Sequence, residues 1–213
     1  MLYGTTVFGG ANGAGTVFEL TPPSSPRGAW TFTILYSFSP FTIFPGGATG
    51  DGNGPAAGLI SDATGALYGT TANGGANGYG TVFKLTPPAV AGGPWTETVL
   101  YSFTGGSDGG SPKASLIFDE SGALYSTTTV GGLNGQGTVF KLTPPGVPDG
   151  AWTETVLYSF AGLDVGTSPS GAGLIFDSSG ALYGTTSTGG ANGFGTVFKL
   201  APPARPVPFP LRR

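Results

Sequence analysis

The phrase LYGTT begins at Leu2 and again at Leu67, recurs as LYSTT from Leu124 and returns as LYGTT from Leu182, with starts 65, 57 and 58 residues apart. After each comes a Gly-rich loop and then GTVFEL (15–20) or GTVFKL (80–85, 137–142, 195–200). A Pro-Pro loop follows, then WTFTILYSF (30–38) or WTETVLYSF (95–103, 152–160). A second loop leads to GLISD, SLIFD or GLIFD, ending at Asp62, Asp119 and Asp177. A chain repeating at this period builds one supersecondary unit several times and buries each unit against its neighbours. That constrains the fold more than any other feature.

Each run reads as a strand. Trp95, Glu97, Val99, Tyr101 and Phe103 alternate with Thr96, Thr98, Leu100 and Ser102, a period of two rich in β-forming residues. Four such runs per unit, joined by hairpins, predict an all-β, propeller-like array of about four blades of four antiparallel strands. Taking the Asp-ending run as innermost, the order is GLIFD, LYGTT, GTVFKL, WTETVLYSF, and the strands count three, four, four and three. The repeats divide approximately as 2–58, 59–115, 116–172 and 173–203, with 204–213 expected to be a disordered tail. The terminal blades are incomplete, so the chain reads as a piece of a longer array with open strand edges through which copies could associate. The step Asp-x-x-Gly-x-Leu-Tyr after each inner strand predicts a tight turn, with the Asp bonded to its own backbone and Gly65, Gly122 and Gly180 at positive φ.

Composition narrows the functions. There are 41 Gly and 19 Pro, yet aromatics reach 12% and the glycines recur in register, which argues for a fold rather than disorder. Eight basic against eleven acidic residues leave a net charge of −3, which supplies no basic patch for nucleic acid. Without His or Cys there is no zinc or copper site, no disulfide, and no Ser-His or Cys-His catalysis. No cofactor is implied. No run is long and apolar enough to span a membrane, and no apolar signal core precedes the repeats.

The phrases LYGTTSTGGANGFGTVFKL and WTETVLYSF resemble the GloVer tandem repeat of bacterial surface or secreted proteins described by a choice of anchor. The resemblance covers nearly all of residues 1–203. It implies an extracellular or cell-surface location, and it brings no catalytic residues with it.

Four loops share one frame, GGANGAG, GGANGYG, GGLNGQG and GGANGFG, from Gly9, Gly74, Gly131 and Gly189. They join two strands, so they read as hairpin connections rather than phosphate cradles, which need a helix N-terminus. One position inside the frame varies: Ala14, Tyr79, Gln136, Phe194. Variable side chains on a fixed scaffold are how repeat proteins build binding faces. The outer-to-inner loops are expected on that same face with Asp51, Asp108 and Asp164. The candidate binding residues are therefore Tyr79, Gln136, Phe194, Asp51, Asp108 and Asp164. One Asp per loop lacks the Asp-x-Asp-x-Asp ladder of a calcium loop. Trp30, Trp95 and Trp152 open the outer strands, either sealing blade against blade or stacking on sugar rings.

Lys84 and Glu97 are 13 residues apart on two arms of one hairpin, as are Lys141 and Glu154; in the first repeat Glu19 and Phe32 replace them. These spacings predict structural cross-strand ion pairs Lys84–Glu97 and Lys141–Glu154, with Lys199 left without such a partner. The function expected is a non-enzymatic scaffold or binding module for a glycan or another protein. The alternative is a glycoside hydrolase or lyase using loop carboxylates, which requires two of them roughly 5–10 Å apart.

Overall fold

The computed structural model describes residues 1–40, 42–44, 47–147, 150–162, 165–169, 171 and 173–202. Unit 1 is a three-stranded antiparallel sheet, β1 (Leu2–Thr6), β2 (Thr16–Thr21) and β3 (Thr31–Ser37). A two-stranded hairpin follows, β4 (Thr42–Phe44) and β5 (Gly47–Thr49). Unit 2 is the four-stranded meander β6 (Ile60–Ser61), β7 (Leu67–Thr71), β8 (Thr81–Thr86) and β9 (Thr96–Ser102). Unit 3 repeats it with β10 (Ile117–Phe118), β11 (Leu124–Thr128), β12 (Thr138–Thr143) and β13 (Thr153–Ser159). Unit 4 has three strands, β14 (Ile175–Phe176), β15 (Leu182–Thr185) and β16 (Val197–Leu200). No α-helix occurs among the described residues. The strand phase read from the repeats is therefore the observed one, while the hairpin β4–β5 was not expected. The tail predicted over 204–213 lies outside the described residues.

Alternation in sequence becomes two-sidedness in the sheet. One face of each inner unit, the front, carries Leu67, Phe83 and Leu85 in unit 2 and Leu124, Phe140 and Leu142 in unit 3, all buried. The opposite face, the back, carries Val82 and Tyr68, or Val139 and Tyr125. Each front packs on the back of the preceding unit. Leu67, Phe83 and Leu85 meet Val17 and Phe38; Leu116, Leu124, Phe140 and Leu142 meet Tyr68, Val82 and Phe103; Leu174 and Leu182 meet Tyr125, Val139 and Phe160. The core is thus three equivalent seams between sheets. Aromatic rings cross each seam edge-on, Phe38 on Phe83 and Phe103 on Phe140 at 5.1 Å, and Phe160 on Phe198 at 5.3 Å. Trp95 and Trp152 pack against these clusters, so two of the three tryptophans seal units together, whereas Trp30, on unit 1, is exposed.

Each outer hairpin has a register shift, at Val17/Phe18, Val82/Phe83 and Val139/Phe140, the mark of a β-bulge. Beyond it Lys84 lies opposite Thr98, and Leu85 opposite Glu97; Lys141 lies opposite Thr155, and Leu142 opposite Glu154. This corrects the expected ion pairs Lys84–Glu97 and Lys141–Glu154. A one-residue difference in register moves a side chain to the other face, so Lys84 and Lys141 project from the back while Glu97 and Glu154 project from the front. The same holds in unit 1, where Glu19 faces Thr33 and Phe32 faces Leu20.

Candidate functional site

The Asp-x-x-Gly turns are built as expected. Asp119 Oδ1 accepts bonds from the Ser121 amide (2.9 Å), the Ser121 hydroxyl (2.6 Å) and the Ala123 amide (3.0 Å), while Oδ2 accepts the Tyr125 hydroxyl at 2.9 Å. Asp62 and Asp177 do the same with Thr64, Ala66 and Tyr68, and with Ser179, Ala181 and Tyr183. Gly65, Gly122 and Gly180 follow at φ of 82°, 81° and 83°. Burial opposes ionisation of Asp119, but the bonds from Ser121, Ala123 and Tyr125 outweigh it and bring its pKa down to about 2.

The lysines complete these turns. Lys141 Nζ stands 5.2 Å over the Tyr125 ring and 3.6 Å from Asp119 Oδ2. Lys199 Nζ stands 5.1 Å over Tyr183 and 3.6 Å from Asp177 Oδ2. Lys84 lies 5.5 Å over Tyr68. Lys199, expected to lack a cross-strand Glu partner, pairs instead with the Asp of its own unit's turn, which needs no outer strand. Asp, Tyr and Lys thus form one structural cluster on the back of the sheet in each of units 2, 3 and 4; unit 1 has Glu19 at the lysine position.

The loop edge is where the candidate binding residues meet. The segment entering unit 2 bonds to both neighbouring Gly-rich loops: Gly54 N donates to Ala14 O (3.0 Å), and Asn53 N to Asn73 O (2.8 Å). At the next seam Ser111 N donates to Tyr79 O (2.7 Å) and Gly110 N to Val130 O (2.9 Å), and at the third Ser168 N donates to Gln136 O (3.1 Å). The variable position is therefore a joint between units. Ala14 is buried there, Gln136 is half-buried, and Tyr79 covers Gly105, whose added Cβ would stand 2.5 Å from the Tyr79 ring. Phe194 occupies the same position in unit 4 and is exposed.

Asp51 accepts bonds from the Ser39 amide (2.9 Å) and the Tyr36 hydroxyl. Asp108 accepts from the Thr104 amide (2.8 Å), the Thr104 hydroxyl and the Tyr101 hydroxyl (3.0 Å). Asp164 lies outside the described residues. Each described loop Asp ties its loop to the end of the outer strand before it. The front-facing glutamates of the following unit come up against these groups. Burial first, and then the Asp51 carboxylate, pushes the Glu97 carboxyl up to about 8; burial and Asp108 push Glu154 up to about 7. In each, Oε1 is buried without a hydrogen-bond partner. The chain therefore brings together Tyr36, Asp51 and Glu97 at one seam and Tyr101, Asp108 and Glu154 at the next.

The second cluster opens into a cleft of about 540 Å³ lined by Ser107, Asp108, Leu133, Glu154 and the strand from Val156 to Ser159. Leu133 and Tyr158 supply its exposed apolar surface. Sequence reasoning named Asp108 and Glu154 but assigned Glu154 to the wrong partner and did not find Tyr101. A signal was present: every outer strand ends Tyr-Ser-Phe and is followed by an Asp-bearing loop. Among the described residues no group of three or more His, Cys, Asp or Glu is placed to hold a metal ion. Nor is any described helix long and apolar enough to cross a membrane.

Antiparallel units of one design, joined at their loop edges by the same bonds, define a β-repeat protein. The chain belongs to the Gloeobacter/Verrucomicrobia repeat family, whose model matches residues 1–207. This agrees with the resemblance carried by the LYGTT and WTETVLYSF phrases. No curated protein is similar enough to the chain to count as a relative.

Proposed function

We propose that this chain is a non-enzymatic repeat module, an arc of propeller-like blades, that binds carbohydrate at its loop edge and works outside the cell or on its surface. The observation that carries the reading is the cleft beside Asp108. It combines acceptor groups, Asp108, Glu154 and Ser107, with an apolar flank of Leu133 and Tyr158. Sugars present hydroxyls along one edge and C–H groups on a face, and a shallow polar-apolar cleft matches that chemistry. The scaffold around it is rigid because Asp108 is fixed by Thr104 and Tyr101. An oligosaccharide array probed with the full chain tests this. Binding of a saccharide class that weakens about tenfold or more in Glu154→Gln and Leu133→Asp supports it; no binding, or binding indifferent to both substitutions, contradicts it.

A second reading is favoured by one observation. A glutamate protonated up to about pH 7 beside an aspartate, as in Glu154 with Asp108, has the acid–base division of a glycoside hydrolase. Release of reducing sugar that vanishes in Glu154→Gln distinguishes it from binding alone.

A further inference from the structure

The three seams show what covers each face of a unit, and the chain leaves one face of each kind open. The front of unit 1 carries Leu2, Phe18 and Leu20, which correspond to Leu67, Phe83 and Leu85 of unit 2. Leu67 is 1% exposed in its seam, whereas Leu2 is 58% exposed. The back of unit 4 carries Val197, corresponding to Val82 and Val139 at 0% exposure, and Val197 is 79% exposed. Ile175 is exposed on the same unit, and Phe194 is exposed at the joint position, against which no further unit packs among the described residues. Contiguous exposed apolar surface of this kind marks an association site.

We propose that these two faces bind each other in separate copies of the chain, so that the front of unit 1 of one copy docks on the back of unit 4 of a second. The occupant follows from continuity with the existing seams: inside the chain each front is covered by a back, and the open front and open back are that junction's two surfaces, the described back lacking only the outer strand and the Phe that Phe38, Phe103 and Phe160 supply in the seams. The side chains at the open front also fit this partner. In units 2 and 3 the front bears Glu97 and Glu154, which meet a Tyr and an Asp from the preceding outer strand and its loop. Among the described residues unit 4 has no outer strand and so presents neither group. At the equivalent position unit 1 carries Phe32, packed on Phe18 with ring centroids 5.1 Å apart, and Ile34 beside it is also exposed. An apolar front thus stands where the docking back has no polar partner to offer. Such a contact is heterologous. Repeated, it closes a ring or extends a filament.

Sedimentation velocity of the full chain over a concentration series tests the proposal, with circular dichroism confirming that each variant is folded. The wild type is expected to form species larger than the monomer as concentration rises. Leu2→Glu, or Phe32→Glu (which installs the residue units 2 and 3 already carry), should give monomer alone, and so should Val197→Glu. An equimolar mixture of Leu2→Glu and Val197→Glu should form a dimer and nothing larger, because one intact front and one intact back remain. A wild type that stays monomeric up to about 1 mM overturns the proposal and leaves the faces to further repeats or another protein. Association that survives these substitutions, or a mixture that stays monomeric while the wild type associates, overturns it equally.

Discussion

Lys141 Nζ lies 3.6 Å from Asp119 Oδ2, across the sheet from Glu154, which projects from the opposite face. The lysine that looked like half of a hairpin ion pair instead closes the turn at the start of its own unit. A double-mutant cycle separates the two. Lys141→Met with Asp119→Asn should show a coupling of about 0.2–1 kcal/mol, in the range of partly exposed pairs. Lys141→Met with Glu154→Gln should be additive within about 0.3–0.5 kcal/mol in chemical denaturation.

Stability should depend on pH in a direction set by the seam glutamates. Folding raises the Glu97 and Glu154 pKa values to about 8 and 7, from an ordinary value of 4.5. Their contribution is fully present below pH 4.5 and is lost as pH rises through 7 and 8. Asp119 is shifted the other way, to about 2 from 3.8, so its contribution is present above pH 3.8 and lost as pH falls through 2. Thermal melts should therefore show a maximum near pH 4–5 and a decline toward pH 9. Glu97→Gln and Glu154→Gln together should flatten that decline and raise Tm above wild type at pH 8. A wild-type Tm that rises between pH 5 and 8 would count against the buried placement of both.

The aromatic seam should dominate stability. Phe103 is fully buried and packs edge-on against Tyr101 and Phe140, each at 5.1 Å. Phe103→Ala should cost about 3–5 kcal/mol. Phe194→Ala, at the 91% exposed joint position of unit 4, should change monomer stability by no more than about 0.5 kcal/mol. Urea denaturation of both variants at low protein concentration provides the comparison.

Two glycines with similar φ should respond differently to substitution. Gly80 (φ +92°) leads from the Gly-rich loop into β8, and a Cβ there would collide with the Thr71 carbonyl oxygen and stand 2.8 Å from Pro112 Cδ across the seam. Gly65 (φ +82°) has nothing within 4 Å of that position. Gly65→Ala should cost about 1–2 kcal/mol, the conformational cost alone. Gly80→Ala should cost clearly more, since backbone must move at a packed joint. Equal losses in the two variants would mean that the close approach at the seam does not constrain the chain.

Local structure was legible because it is written locally. The Asp-x-x-Gly-x-Leu-Tyr step acts within a few residues and formed as read. Trp95–Phe103 formed its strand, but the bulge at Val82/Phe83 breaks the alternation, leaving Glu97 and Val99 on the front and Tyr101 opposite Val82 on the back. The register of Lys84 was not legible from its spacing. Which face it shares depends on how the Pro-Pro loop turns, and a single residue of difference reverses the answer. The Asp51–Glu97 proximity joins residues 46 apart in the chain, and only the stacking of unit on unit creates it. The variable position 14, 79, 136 and 194 was visible as variation, but its place at a joint follows from bonds such as Ser111 N to Tyr79 O. How the four sheets stack decides which of these side chains remain free to meet a ligand.

The claim that the loop edge binds sugar without transforming it is tested most directly by incubating the full chain with cello-, xylo-, chito- and manno-oligosaccharides. Free and bound sugar are followed by equilibrium dialysis, and reducing ends are followed in the same samples. Retention of at least one of these oligosaccharides by the wild type is expected, with weaker retention by Glu154→Gln and an unchanged number of reducing ends. A time-dependent rise in reducing ends with the wild type, absent with Glu154→Gln, would contradict it and make the Asp108–Glu154 cleft an active site.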